Sequence, residues 1–142
     1  MGISPAQASG PVKVVAAFLD GRRLKGFAFD FSAFRDKCRI FPSEKASAGE
    51  GQEIHIQELK ALFFVKEFAD AGHHELTHSH EFVGVVHGRK IEVVFGDGER
   101  LTGATEGYNP KRLGFFVVPA NTGGNNLRVF VVNANVQQVR WL

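Results

Sequence analysis

The chain has 142 residues, of which 44% are hydrophobic and 23% charged, with a formal net charge of +2 and a single cysteine. One Cys38 excludes an intramolecular disulfide framework and a cysteine-built zinc cage, and it implies a reducing, cytoplasmic setting. The longest apolar runs, Val14 to Leu19 and Ala61 to Val65, fall far short of the roughly 20 residues a membrane-spanning helix needs, and the opening MGISPAQASG has neither the charged start nor the apolar centre of a signal peptide.

Residues 1–11 are read as a flexible N-terminal segment. Period-two alternation then begins, with Val14, Ala16 and Phe18 on one face of a first strand. Asp20-Gly21 follows, a dipeptide that tolerates positive φ and marks a tight hairpin between alternating runs. The second strand carries Leu24, Gly26 and Ala28, and its internal glycine predicts a bulge or sharp bend. A third strand, Cys38 to Phe41, is ended by Pro42, which cannot donate to a sheet ladder. Beyond the polar loop SEKASAGEGQ come a fourth strand, EIHI, and a fifth, LKALFFV, although Glu58 to Glu67 also fits a helical period.

Residues 66–88 form a linker with one Lys against four Asp or Glu, and with His73, His74, His78, His80 and His87. Residues 89–142 then repeat residues 12–65 at a constant offset of 77. Lys13 aligns with Lys90, Asp20-Gly21 with Asp97-Gly98, Arg23 with Arg100, Gly26 with Gly103, Arg35 with Arg112 and Pro42 with Pro119. The identities fall on turn glycines and alternating apolar positions, which is the signature of a duplication. The expected strands of copy 2 are Ile91 to Phe95, Leu101 to Thr105, Phe115 to Val118, VFVVN and VQQVRWL.

Five short, bent strands per copy imply a small barrel, since closure removes exposed edges. Barrels of about 54 residues are marginal alone, so the two copies are expected to support each other. The 14 Phe against one Tyr and one Trp bear on this point. Phe27, Phe29 and Phe31, with Val15 and Leu19, make copy 1 apolar on both strand faces. That outer face is therefore expected to be covered, by copy 2 or by a second chain.

VKVVAAFLDGRRLKG and IEVVFGDGERLTG, each followed by a polar turn and a third strand, resemble the Sm-like and SH3-like small-barrel families. The resemblance implies an all-β chain of two tandem five-stranded Sm-like/SH3-like barrels joined by a His-rich linker. The Asp-x-x-x-Asn of RNA-binding Sm loops is missing: Asp30 is followed by Phe31, Ser32, Ala33 and Phe34. In its wording the chain is more similar to an uncharacterised bacterial family of such barrels, sometimes attached to PilZ or signalling domains. That likeness implies a fold and a bacterial cytoplasmic setting, with no established reaction attached.

Three site readings follow. The apolar residues Phe27, Phe29, Phe31, Val15 and Leu19 suggest an interface to a protein partner or to a second copy. The basic turns between the second and third strands, Arg35, Lys37 and Arg39 in copy 1 and Tyr108, Asn109, Lys111 and Arg112 in copy 2, combine cation and aromatic as phosphate contact with base stacking requires. They are an RNA-binding alternative set against a simply solvated turn. The histidines His73, His74, His78 and His80 are a second alternative as zinc or nickel ligands, set against a solvated linker. Cys38 alternates with Ile40 on one face and reads as a core residue rather than a nucleophile. The expectation is a non-enzymatic interaction module with no cofactor, acting on a protein partner and not on a membrane.

Overall fold

A computed structural model describes residues 11–68 and 81–142. Ten strands occur in chain order: β1 Val12–Phe18, β2 Arg23–Ala28, β3 Lys37–Phe41, β4 Gln52–His55, β5 Leu59–Val65, β6 Arg89–Phe95, β7 Arg100–Thr105, β8 Gly114–Pro119, β9 Asn126–Val132 and β10 Val136–Trp141. All pair antiparallel in a single sheet of order β10-β6-β7-β8-β9-β5-β1-β2-β3-β4. The helical alternative across Glu58 to Glu67 gives way to β5, whose seven residues are all buried. An apolar run covered on both faces has no polar side for a helix to present to water, and it is short enough to be a central strand.

The offset of 77 reappears in three dimensions. Within each half the fifth strand pairs with the first, and the first, second, third and fourth follow in order. A short 3-10 turn precedes the fifth strand in both halves, Ile56–Glu58 and Asn133–Asn135. The hairpin glycines Gly21 and Gly98 sit at φ of 92° and 89°, a region that residues with a Cβ seldom adopt. Asp20 and Asp97 hold these hairpins alike, their side chains accepting at 3.0 Å from the N–H of Arg22 and Glu99. The second-strand glycines mark close approach by the third strand: a Cβ on Gly26 would run into the Phe41 carbonyl oxygen, and one on Gly103 into that of Val118.

The halves are joined by β5 and β9, in the register Ala61↔Val131, Leu62↔Phe130, Phe63↔Val129 and Phe64↔Arg128. The backbone pairing therefore gives one open sheet of ten strands rather than two closed barrels. Among the described residues its edges, β4 and β10, each pair on one side only. The residues read as a flexible N-terminus lie outside the described residues apart from Pro11, and so does much of the linker, 69–80.

The sheet curls into two cores, one on each face. Val14, Ala16, Leu62 and Phe64 face a cluster with Ala28, Cys38, Ile40, Ile54 and Ile56 of copy 1, closed by Phe130 and Val132 of copy 2. Val15, Ala17, Ala61, Phe63 and Val65 face the opposite way, into a cluster with Ile91, Val93, Phe95, Phe115, Val117, Val129 and Val131 of copy 2. Burying a side chain such as Phe63 fully is worth about 1.5–3 kcal/mol, so the seam is a core element and not a docking contact.

Polar groups reinforce the seam. Asn135 donates through Nδ2 to the carbonyls of Gln57 and Leu59, at 3.1 and 2.7 Å. Lys60, only 7% exposed, reaches from β5 into the β6–β7 hairpin, where its Nζ lies 2.7 Å from Asp97 and is also bonded to Glu99. At the far end of β5, Asn125 exchanges two 3.0 Å hydrogen bonds with the backbone of Glu67.

Candidate functional site

The turn after β2 and the turn after β7 occupy the same place in their respective copies, and the curl of the sheet brings them together. The β7–β8 turn is fixed from below by Asn133, whose Nδ2 donates to the carbonyls of Asn109 and Arg112, both at 2.9 Å. Asn109 also uses its side-chain oxygen within the turn, accepting from the Lys111 N–H at 2.9 Å. From copy 1, Ala33 and Phe34 lean over this turn. Arg112 answers with its guanidinium carbon 4.9 Å from the centre of the Phe34 ring.

Between the turns lies a cleft of about 420 Å³, lined by Ala33 and Phe34 of copy 1 and by Glu106, Gly107, Arg112, Gly114, Phe115, Phe116 and Phe130 of copy 2. Its floor is aromatic. Phe31 meets Phe130 at 5.0 Å, Phe64 at 5.5 Å and Phe116 at 6.0 Å between ring centres, each with edge-on geometry. Such T-shaped contacts place positive ring edges on negative faces and lock the rings in position. Phe34, by contrast, is 78% exposed at the lip. The site is thus an apolar floor with an exposed aromatic ring and a guanidinium stacked against each other at its lip.

The basic residues of the copy 1 turn do not join this cleft. Arg35, Lys37 and Arg39 line a shallower depression of about 340 Å³ with Asp30, Asp36, Glu53 and Cys38. Three cations there face three carboxylates, which leaves little net field for a polyanion. Arg39 is further committed as a strut, donating to the Ala48 carbonyl at 3.2 Å. In copy 2, Lys111 and Arg112 are exposed, while Tyr108 is half-buried against Phe115 and Trp141, at 4.8 and 5.6 Å. The structure therefore brings Arg112 together with copy 1 and leaves Arg35, Lys37 and Arg39 outside.

The apolar set divides in the same way. Val15 is fully buried in the core shared with copy 2, and Phe31 packs edge-on against Phe116 and Phe130, two of the rings that line the cleft. Phe27 is half-buried edge-on to Phe68 at 5.4 Å, and Phe29 is exposed edge-on to Phe41 at 5.2 Å. Leu19 is 59% exposed in the first hairpin. His73, His74, His78 and His80 lie outside the described residues. Among the described residues no group of three or more His, Cys, Asp or Glu is gathered closely enough to hold a metal ion, and no helix is long and apolar enough to cross a membrane.

Cys38 is buried, and its thiol is pushed up to about 12, first by desolvation and then by the negative charge of Asp30. A thiol in that state is not a nucleophile at neutral pH. The residues that sequence reasoning missed are Phe34, Asn133 and Lys60. Phe34 carries no periodic signal, because its importance lies in a contact with the other copy.

The fold and the cleft define a class: an all-β protein of two repeated halves in one antiparallel sheet, with equivalent turns meeting over an aromatic floor. The profile of DUF6982, a family of unknown function, matches residues 10–142, and the chain belongs to that family. No curated protein and no solved structure matches it.

Proposed function

We propose that the chain is a non-enzymatic interaction module that takes a segment of a protein partner in the cleft between the two turns. The observation that carries this reading is Phe34, a large apolar ring held out of the core beside Arg112. The chemistry calls for an apolar side chain seated between Phe34 and Phe116, flanked by a carboxylate for Arg112. Aromatic and arginine side chains that a partner buries carry most of the binding energy in protein interfaces. Each copy is further read as a small-barrel unit of the SH3-like or Sm-like kind; the repeated strand order and the 3-10 turn before each fifth strand support it. The lone, buried Cys38 supports a cytoplasmic setting.

The runner-up is RNA binding at the same turns, favoured by the pairing of Arg112 with Phe34. It is weakened by the even balance of charge around Arg35, Lys37 and Arg39. Photo-crosslinking decides between the two. A benzophenone side chain at position 34 is expected to give discrete protein adducts in extract, lost with Arg112→Glu, while the same group at position 19 gives none of them. Adducts destroyed by ribonuclease, or identical adducts from both positions, overturn the protein reading.

A further inference from the structure

β9 reads Asn-Leu-Arg-Val-Phe-Val-Val, a run of apolar residues interrupted by a single cation, Arg128. By strand alternation Arg128 shares the sheet face of Phe130 and Val132. It is paired across the seam with Phe64, which is paired in turn with Val14. The guanidinium carbon stands 4.5 Å from the centre of the Phe64 ring and 4.2 Å from that of Phe116. A guanidinium stacked on ring faces keeps its N–H edge for a planar acceptor. Among the described residues no carboxylate or carbonyl takes that edge, and burial works against the charge by lowering its pKa.

The space in front of this cation is an open cleft of about 400 Å³, lined by Val12, Lys13, Phe64, Val65, Val118, Leu127 and Arg128. It lies further along β8 and β9 than the cleft between the turns, on the far side of the Phe116 and Phe130 rings. Val12, Val118 and Leu127 are exposed, so its apolar wall faces water. Lys13 is already engaged, its Nζ 3.3 Å from both the Glu67 carboxylate and the Lys66 carbonyl. Among the described residues, that leaves Arg128 as the uncompensated cation of this cleft. The volume falls in the range of small-molecule sites, about 300–1,000 Å³.

We propose that this cleft binds a monoanionic amphiphile, a carboxylate on an aliphatic chain, with the carboxylate paired to Arg128 and the chain laid along Val12, Val118 and Leu127. A single guanidinium suits a carboxylate better than a dianionic phosphate, and the planar fork matches it bidentately. The site is independent of the partner-binding cleft and stands or falls separately.

The test uses the whole chain, isotope-labelled, titrated with octanoate while backbone amide shifts are followed. Octanoate is expected to shift Val12, Val65, Val118, Leu127 and Arg128 and to saturate below roughly 1 mM, with acetate and 1-octanol at least about tenfold weaker. Arg128→Met, which keeps a cover over Phe64 and Phe116, is expected to lose octanoate by about tenfold and leave 1-octanol unchanged. Should that variant fold poorly, Leu127→Asp on the exposed wall gives the same loss. Shifts elsewhere in the sheet, no shift at roughly 5 mM, equal affinity for 1-octanol, or undiminished binding by Arg128→Met each overturn the proposal.

Discussion

At Cys38 the protein stores a pH dependence. A thiol with an ordinary value of 9.0 is pushed up to about 12 by burial, so the unfolded chain ionises first as the solution becomes alkaline. The group's contribution to stability is intact below pH 9.0 and is lost as the pH rises from there towards 12. Denaturant titrations at pH 8 to 11 are expected to show stability falling more steeply for the wild type than for Cys38→Val. Asp97 carries the opposite sign. Burial works to raise its pKa but is outweighed by the hydrogen bonds from Lys60 and from the Glu99 N–H, so the net value lies below 3.8. Its contribution is present above pH 3.8 and is lost as the pH falls through the depressed folded value, a loss that Asp97→Asn removes.

Lys60 separates a buried cation from carboxylates that keep some water, its side chain being 9% exposed against 51% for Asp97 and 40% for Glu99. Removing the lysine frees two carboxylates that can hydrate, while removing both carboxylates strands an ammonium in the seam. Lys60→Met is therefore expected to cost about 1 kcal/mol, and Asp97→Asn with Glu99→Gln about 3 kcal/mol or more, by equilibrium unfolding.

Among the elements, β5 carries the seam. Its Phe63 is fully buried among copy 2 residues. Phe63→Ala is expected to lower stability by about 3–5 kcal/mol. The hairpins and their strands were legible in the sequence, because Val14, Ala16 and Phe18, and Ile91, Val93 and Phe95, alternate beside Asp-Gly turns. The partner of β5 was not. LKALFFV is apolar at nearly every position, so it announces burial on both sides without naming the neighbour, and β9 lies far along the chain. The cleft was half legible for the same reason: Arg112 stood out as a basic turn residue, whereas Phe34 acquires its meaning only through the fold. Arg128 had a signal that periodicity alone could have raised, a lone cation inside a strand of β-branched and aromatic residues.

For the molecule as a whole, continuous hydrogen bonding from β10 to β4 makes the two copies one cooperative unit. Thermal unfolding followed by near-ultraviolet and far-ultraviolet circular dichroism is expected to give coincident single transitions. Residues 12–65 expressed alone are expected to lack cooperative unfolding, since Val15, Ala17, Ala61, Phe63 and Val65 would face water. Two separate transitions in the full chain, or a stable isolated first copy, would contradict this account.

The seam also imposes an order in time. β5 leaves the ribosome well before β9, and among the described residues the cover over the face that bears Phe63 and Val65 comes from copy 2. At elongation rates of about 5–20 residues per second, that face stays open for on the order of several seconds. Every molecule thus passes through a stage in which a half-built sheet presents a sticky apolar strand. The nascent chain rather than the finished protein is then the species expected to need chaperones, and a translational pause placed between residues 66 and 125 is expected to raise the aggregated fraction in a cell-free synthesis, with Phe63→Ser lowering it.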